Sequence, residues 1–225
     1  RIVYLLFNEG YYSRSRDEIL RKDLCVEALR LGLLLTEYEM TRLPKTYALI
    51  ALMCFHSSRF DARVRSSDGE ALILYDQQDE SLWDQALIAQ GMHFLGLSAS
   101  GGEMSSYHLE ARIASWHCLK EDSPEKWEDI LELYDRLLKV NYSPGVALNR
   151  TYALYKAKGK KEALAAAEQL KGEHNHFYFV LLGELYRGID DTKARWNFQQ
   201  AISLARTQTE KRIIEEKIGT LGKNN

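Results

Sequence analysis

Two arginines in the first third of the chain are the first candidates for ligand binding. Arg59 and Arg63 lie four residues apart near a predicted helix end, with Asp61 between them. Two guanidinium groups at this spacing can clamp a carboxylate or a phosphate, because each presents paired N–H donors. The same spacing also suits an ion pair within the chain that helps to cap the helix. Both interpretations stay open at this point.

A second group of polar residues follows shortly after the arginines. Asp76, Gln77 and Trp83 could line a groove, although helix capping by Asp79 accounts for part of this pattern. His117 is the histidine that we expect at such a groove, beside Asp76 and the two arginines. A deep pocket built from these side chains would indicate an enzyme or a small-molecule sensor.

Asn149 and Arg150 form a third candidate, in the second half of the chain. They come early in a predicted repeat helix. Helical repeats commonly bind peptides on their concave surface, and these two residues could face it. Packing between helices is the alternative role for the pair.

Patterns typical of enzymes or metal sites are missing from the sequence. The six histidines form no His-Glu-x-x-His motif, and the cysteines form no Cys-x-x-Cys motif. The stretch GLSASGG at Gly96–Gly102 resembles a nucleophile elbow, but Ser100 stands where the second glycine belongs. There is also no glycine-rich phosphate loop. We therefore expect no enzymatic activity, no cofactor and no metal.

Composition narrows the class of protein further. The chain has 225 residues, 30 basic and 32 acidic side chains, and a formal net charge of −2, so a strongly basic face for duplex DNA is not indicated. Cys25, Cys54 and Cys118 are isolated in apolar stretches, which favours buried, reduced thiols. Residues 2–7 are too short an apolar run to span a membrane. We expect a cytoplasmic protein with no membrane partner.

Helical periodicity dominates the chain. Tyr47, Ala48, Ala51, Leu52 and Phe55 share one predicted face, and similar stripes recur along the sequence. Proline at 44, 124 and 144 marks predicted helix starts. Asp79 is expected to cap a helix that runs to about Leu97.

One segment departs from the helical pattern. In residues 63–75, Asp68-Gly69 separates two β-prone runs, which predicts a short β-hairpin.

The second half of the chain is repetitive. The stretch FVLLGELYRGIDDTKARWNFQQAISLA places Gly183, Ala194 and Ala201 at nearly the spacing of a tetratricopeptide repeat. Small residues allow helices to approach closely, and Gly32 and Gly91 suggest the same role earlier. We predict an all-α fold of antiparallel helix pairs stacked as a tetratricopeptide-like solenoid. Its halves are residues 1–122, with degenerate repeats, and residues 123–225.

Six strings in order carry a resemblance to one family. They are YLLFNEGYY (4–12), DLCVEALRLGLLL (23–35), ALMCFHSSRFDAR (51–63), DQQDESLWDQALIAQG (76–91), YHLEARIASWHC (107–118) and LYDRLLKVNYSPGVALNRTYAL (133–154). Together they resemble the tetratricopeptide-like C-terminal extension of bacterial RNA polymerase sigma factors of the extracytoplasmic-function type. The chain departs from the family pattern at Asp76–Ser81, which has an extra glutamine and lacks an arginine. It also departs at Arg112 and Trp116, which replace small residues.

The resemblance implies a regulatory role in transcription initiation. Arg1–Phe7 would be the end of a linker helix, and the regions that bind polymerase and read the promoter would precede this chain. The partners would be the RNA polymerase core, the sigma factor's own N-terminal regions, or both, with promoter DNA contacted only through those regions. The alternatives are a stand-alone tetratricopeptide-type scaffold and a small-molecule sensor domain.

Overall fold

The computed structural model describes residues 1–11, 21–63, 75, 78–102, 104–170 and 175–222. Every regular element in these ranges is helical, so the all-α prediction is confirmed. The chain divides into two compact units, Arg1–Glu121 and Asp122–Asn225. Each unit is a set of packed helices with its own apolar core.

The described residues of unit 1 include six α-helices and a short 3-10 helix. The α-helices are α1 (Ile2–Tyr11), α2 (Lys22–Leu34), α3 (Pro44–Ser57), α4 (Phe60–Arg63), α5 (Gln85–Ser98) and α6 (Ser106–Trp116). The 3-10 helix spans Glu80–Leu82 and directly precedes α5.

The described residues of unit 2 form six further α-helices. They are α7 (Pro124–Val140), α8 (Pro144–Lys158), α9 (Lys160–Ala167), α10 (His176–Tyr186), α11 (Asp191–Leu204) and α12 (Gln208–Gly219). Each helix packs against the next one along the chain, as in helical-repeat proteins.

Local sequence signals explain where several helices begin. The predicted starts at Pro44, Pro124 and Pro144 are confirmed. Proline fits the first turn, where its missing N–H would have no partner within the helix. Ser123 and Ser143 cap two of these helices, since each hydroxyl accepts a hydrogen bond from a first-turn backbone N–H.

Helix α3 is the centre of unit 1. It packs against α2, α5 and α6, and all residues from Ala48 to Phe55 are buried. The sequence predicted one apolar stripe on this helix, but its faces are buried almost all round. A helix surrounded by neighbours has no solvent face to keep polar, which explains its nearly continuous apolar run.

In unit 2, close packing at a glycine brings two helices together. A Cβ atom added to Gly183 in α10 would lie 2.5 Å from the ring of Phe198 in α11. Gly183, Ala194 and Ala201 are all buried, which confirms the small-residue contacts that the repeat spacing predicts.

At Gly159, which alone separates α8 from α9, φ is +100°, a conformation that favours glycine.

The helix predicted to start after Asp79 begins later: Asp79 caps the 3-10 helix, and Asp84 caps α5 through the backbone N–H of Leu87. Asp79 and Asp84 lie five residues apart, and either could cap a helix. The sequence therefore allowed two starts for α5, and the predicted one, after Asp79, was wrong. The hairpin predicted within residues 63–75 falls mostly outside the described residues.

No helix in the described part of the chain combines the length needed to cross a bilayer with sufficient apolar character.

Candidate functional site

The residues that join α3 to α4 place Arg59 inside unit 1. Ser58 ends α3, and its backbone carbonyl accepts a hydrogen bond of 2.8 Å from the backbone N–H of Asp84, at the start of α5. The Ser58 hydroxyl donates to the Phe55 carbonyl at 2.8 Å. These two bonds fix the turn, so Arg59 is only 8% exposed, although arginine is rarely buried.

The guanidinium of Arg59 lies beside an aromatic ring. Its central carbon is 5.5 Å from the ring centroid of Tyr75. Tyr75 is itself fixed, because its hydroxyl donates to the Leu119 carbonyl at 2.9 Å. The same ring lies 6.2 Å from Trp83 and 5.1 Å from His117, measured between centroids.

Arg63 takes part in a second cation–π contact, with the ring of Tyr11. Its guanidinium carbon is 4.0 Å from the centroid of Tyr11, and the Tyr11 ring is 4.7 Å from that of His56. Tyr11 also stacks on Phe7, which is fully buried. Helix α1 thus supplies the ring that positions Arg63.

These side chains form one group, which we call the arginine–aromatic cluster. Its members are Tyr11, His56, Arg59, Arg63, Tyr75, Trp83 and His117.

Positive charge in the cluster acts on His56. Burial lowers the pKa of His56 well below its ordinary value of 6.5, and Arg59, Arg63 and His117 lower it further. His56 is therefore neutral at physiological pH, while arginine stays charged at any such pH.

Several hydrogen-bonding atoms of the cluster are buried without a partner. Among the described residues, Arg59 Nε, Trp83 Nε1 and His56 Nδ1 make no hydrogen bond. Roughly nine in ten buried polar groups in folded proteins do have a partner. A region with spare N–H donors and a permanent cation is chemically suited to accept an oxyanion.

The structure brings together four of the residues singled out from the sequence: Arg59, Arg63, Trp83 and His117. Asp76 and Gln77 lie outside the described residues. Arg59 makes no ion pair with its neighbour Asp61, which instead pairs with Lys22.

The other two predicted residues belong to unit 2. Asn149 is exposed on α8. Arg150 donates from Nε to Asp135 of α7 at 2.8 Å, so it links two neighbouring helices. Exposed or half-exposed pairs of this kind contribute about 0–1 kcal/mol.

Sequence reasoning missed His56, Tyr11 and Tyr75. A signal for His56 was present, because His56, Arg59 and Arg63 are spaced by three and four residues, which keeps side chains near one helical face. Nothing local indicated Tyr11, since it reaches the cluster only through the packing of α1.

Burial raises the pKa of Cys25 and Cys54 to about 12, which opposes formation of a thiolate nucleophile. No group of three or more histidine, cysteine, aspartate or glutamate residues suited to a metal ion occurs within the described ranges.

Comparison with known proteins identifies relatives of this chain. Residues 1–99 match a family of unknown function, DUF6596. Over 229 aligned residues, the chain is 34% identical to an uncharacterized protein of Rhizobium meliloti (strain 1021). That alignment covers 98% of this chain and 52% of the relative, so the chain spans about half the length of that curated protein. No solved structure matches the chain.

Proposed function

We propose that this chain is the C-terminal regulatory, protein-binding domain of an extracytoplasmic-function sigma factor, acting in the cytoplasm on transcription initiation. The observation that carries the proposal is the order of the six strings that resemble this extension. The strings contribute to α1, α2, α3, α4, α5, α6, α7 and α8, so they fall on the helices of unit 1 and on the first pair of unit 2.

The similarity to a longer protein supports this proposal. A relative about twice as long leaves room for regions that bind polymerase and promoter DNA. The balanced charge of this chain fits a domain that leaves contact with DNA to such regions.

The mechanism that we propose is intramolecular docking. A domain joined to the sigma regions has a high effective concentration for them and for the polymerase that they bind. Stacked helices offer extended surfaces for such contacts. Docking of this domain would then set how well the factor initiates transcription.

A transcription assay with purified RNA polymerase core tests the proposal. The full-length factor would be compared with a version that ends before Tyr4, on a promoter that the factor recognises. We expect the shortened factor to change promoter-specific transcript by at least tenfold. Adding the separate 225-residue chain in excess should restore part of the original level, and a chain unfolded by Gly183→Trp would serve as its control.

Two results would contradict the proposal. One is equal transcription from the full-length and shortened factors. The other is a parent protein whose remaining half contains no polymerase-binding regions, which would favour the stand-alone scaffold.

A further inference from the structure

We propose that the arginine–aromatic cluster of unit 1 binds a small molecule through its carboxylate or phosphate group, with Arg59 as the main contact. This inference concerns unit 1 alone and does not rest on the proposed role in transcription.

The first argument is the unmet charge of Arg59. A guanidinium carries five N–H donors and remains protonated, so burial without an anionic or hydrogen-bonding partner is costly. Arg59 is 8% exposed, and its Nε atom lacks a partner among the described residues. The contact with Tyr75 offsets part of the charge but accepts no hydrogen bond in the plane of the guanidinium.

The second argument is the kind of atom left unpaired nearby. Trp83 is 5% exposed, and its indole N–H, which can only donate, also lacks a partner in the part of the chain that the structure describes. Trp83 and Arg59 lie around the same Tyr75 ring. Two N–H donor groups beside one ring need a hydrogen-bond acceptor. An oxyanion would accept these bonds and also neutralise the charge of Arg59.

The third argument concerns His56. Its Nδ1 atom is buried and unpaired, and burial together with the surrounding cations keeps the ring neutral. A bound anion would oppose the influence of these cations and favour the protonated ring, which would then donate to the anion. The NMR signals of the His56 ring should therefore show whether an anion is bound.

The size of the ligand follows from burial. Because Arg59 and Trp83 are both more than nine-tenths buried, a folded protein or a nucleic-acid duplex cannot reach them without disrupting the unit. The aromatic members of the cluster suit a ligand with an apolar or planar body.

Isothermal titration calorimetry and histidine NMR spectra of the full 225-residue chain test the proposal. The probes are succinate and inorganic phosphate, each measured against sodium chloride of equal ionic strength. We expect at least one probe to bind saturably with a stoichiometry of one and to shift the His56 ring signals. Binding of succinate but not phosphate would assign the site to carboxylates. Binding of phosphate but not succinate would assign it to phosphorylated ligands.

Variants then identify the contact. Arg59→Gln should weaken binding at least tenfold, while Arg150→Gln, which removes a guanidinium on α8, should leave binding unchanged. Trp83→Phe keeps the ring but removes the N–H donor, and it should weaken binding several-fold. Circular dichroism checks folding, and Trp83→Phe decides the outcome where Arg59→Gln does not fold.

The proposal is overturned if neither succinate nor phosphate binds saturably. It is equally overturned by binding that leaves the His56 signals unmoved, or by folded Arg59→Gln or Trp83→Phe protein that binds as tightly as the parent chain.

Discussion

Gly91 of α5 lies directly against the ring of Phe55 in α3. A Cβ atom placed on Gly91 would be 2.6 Å from Phe55 Cε1, well inside van der Waals contact. Phe55 is fully buried, so its ring has little room to move away. Gly183 and Phe198 repeat the arrangement in unit 2. In both units, a helix without a side chain at one position allows a phenylalanine to fill the interface.

The first prediction concerns this contact. Gly91→Ala should destabilise the protein by about 1–3 kcal/mol, because the added methyl group forces the buried ring to shift. Gly96→Ala, in the same helix, is the matched control, since no atom lies within 4 Å of its added Cβ. The control should be neutral or stabilising by up to about 1 kcal/mol, because alanine favours a helix over glycine. Urea denaturation measures both, and equal effects would contradict the packing argument.

The second prediction concerns Glu110, which accepts a hydrogen bond of 2.7 Å from the hydroxyl of Tyr4. Burial raises the pKa of Glu110 above its ordinary value, while the hydrogen bonds from Tyr4 and Ser106 act against this rise. A carboxyl group whose pKa is higher in the folded state favours folding when protonated. Its contribution is present below the unfolded pKa of about 4.3 and is lost as pH rises through the folded pKa.

Two substitutions test this relationship. Glu110→Gln should remove the loss of unfolding free energy above about pH 4.3, so the variant gains stability relative to the parent as pH rises. Tyr4→Phe should raise the pKa of Glu110 further, because it removes a donor to the carboxylate, and should cost about 1–2 kcal/mol at neutral pH. Carbon NMR of the carboxyl group and urea denaturation between pH 4 and pH 7 give both quantities. A pKa unchanged by Tyr4→Phe would contradict the assignment.

The third prediction concerns His56. Its pKa is lowered in the folded protein by burial, by both cluster arginines and by His117, so the unfolded chain takes up a proton more readily. The stability that His56 contributes is present above the unfolded pKa of about 6.5 and is lost as pH falls below it. While the folded ring stays neutral, the loss should approach about 1.4 kcal/mol per pH unit.

His56→Phe should therefore reduce the slope of unfolding free energy between about pH 6.5 and pH 5. His93, exposed on α5, provides the control, and His93→Gln should retain the slope of the parent. Urea denaturation at half-unit pH intervals measures the three proteins. An unchanged slope in His56→Phe would show that another group dominates acid destabilisation.

The fourth prediction concerns the thiols. Cys25, Cys54 and Cys118 are all buried, and the pKa of the first two is raised to about 12. Because the thiolate is the reactive form, these cysteines should react with a disulfide reagent at pH 8 at least about a hundredfold more slowly than free cysteine. In urea, which unfolds the chain, all three thiols should react rapidly. Rapid reaction of one thiol in the native protein would show that its helix opens locally.

The fold was largely predictable because its signals are local. Apolar periodicity predicted the helices, the prolines at 44, 124 and 144 predicted three helix starts, and the glycines predicted close contacts. The start of α5 was harder, since Asp79 and Asp84 are both suitable caps. Only tertiary structure decides, through the bond from the Asp84 N–H to the Ser58 carbonyl.

The candidate site was only partly predictable. Spacing identified Arg59 and Arg63 and left open a ligand clamp or an ion pair within the chain. Arg59 does not pair with Asp61, and its guanidinium lies beside Tyr75 instead. Contacts with Tyr11 and Tyr75 bring together residues far apart in sequence, and no local pattern encodes such contacts. Burial also separates the roles of similar residues: Arg59 is enclosed, whereas Arg150 lies in a half-exposed pair with Asp135.

The enclosure of all three native cysteines has a practical consequence for fluorescence work. A cysteine introduced at Met40, which is 87% exposed, would be the preferred attachment point for a maleimide dye, with no need to delete the natural residues. A dye-labelled chain of otherwise native sequence could then report rotational diffusion or energy transfer when a partner arrives.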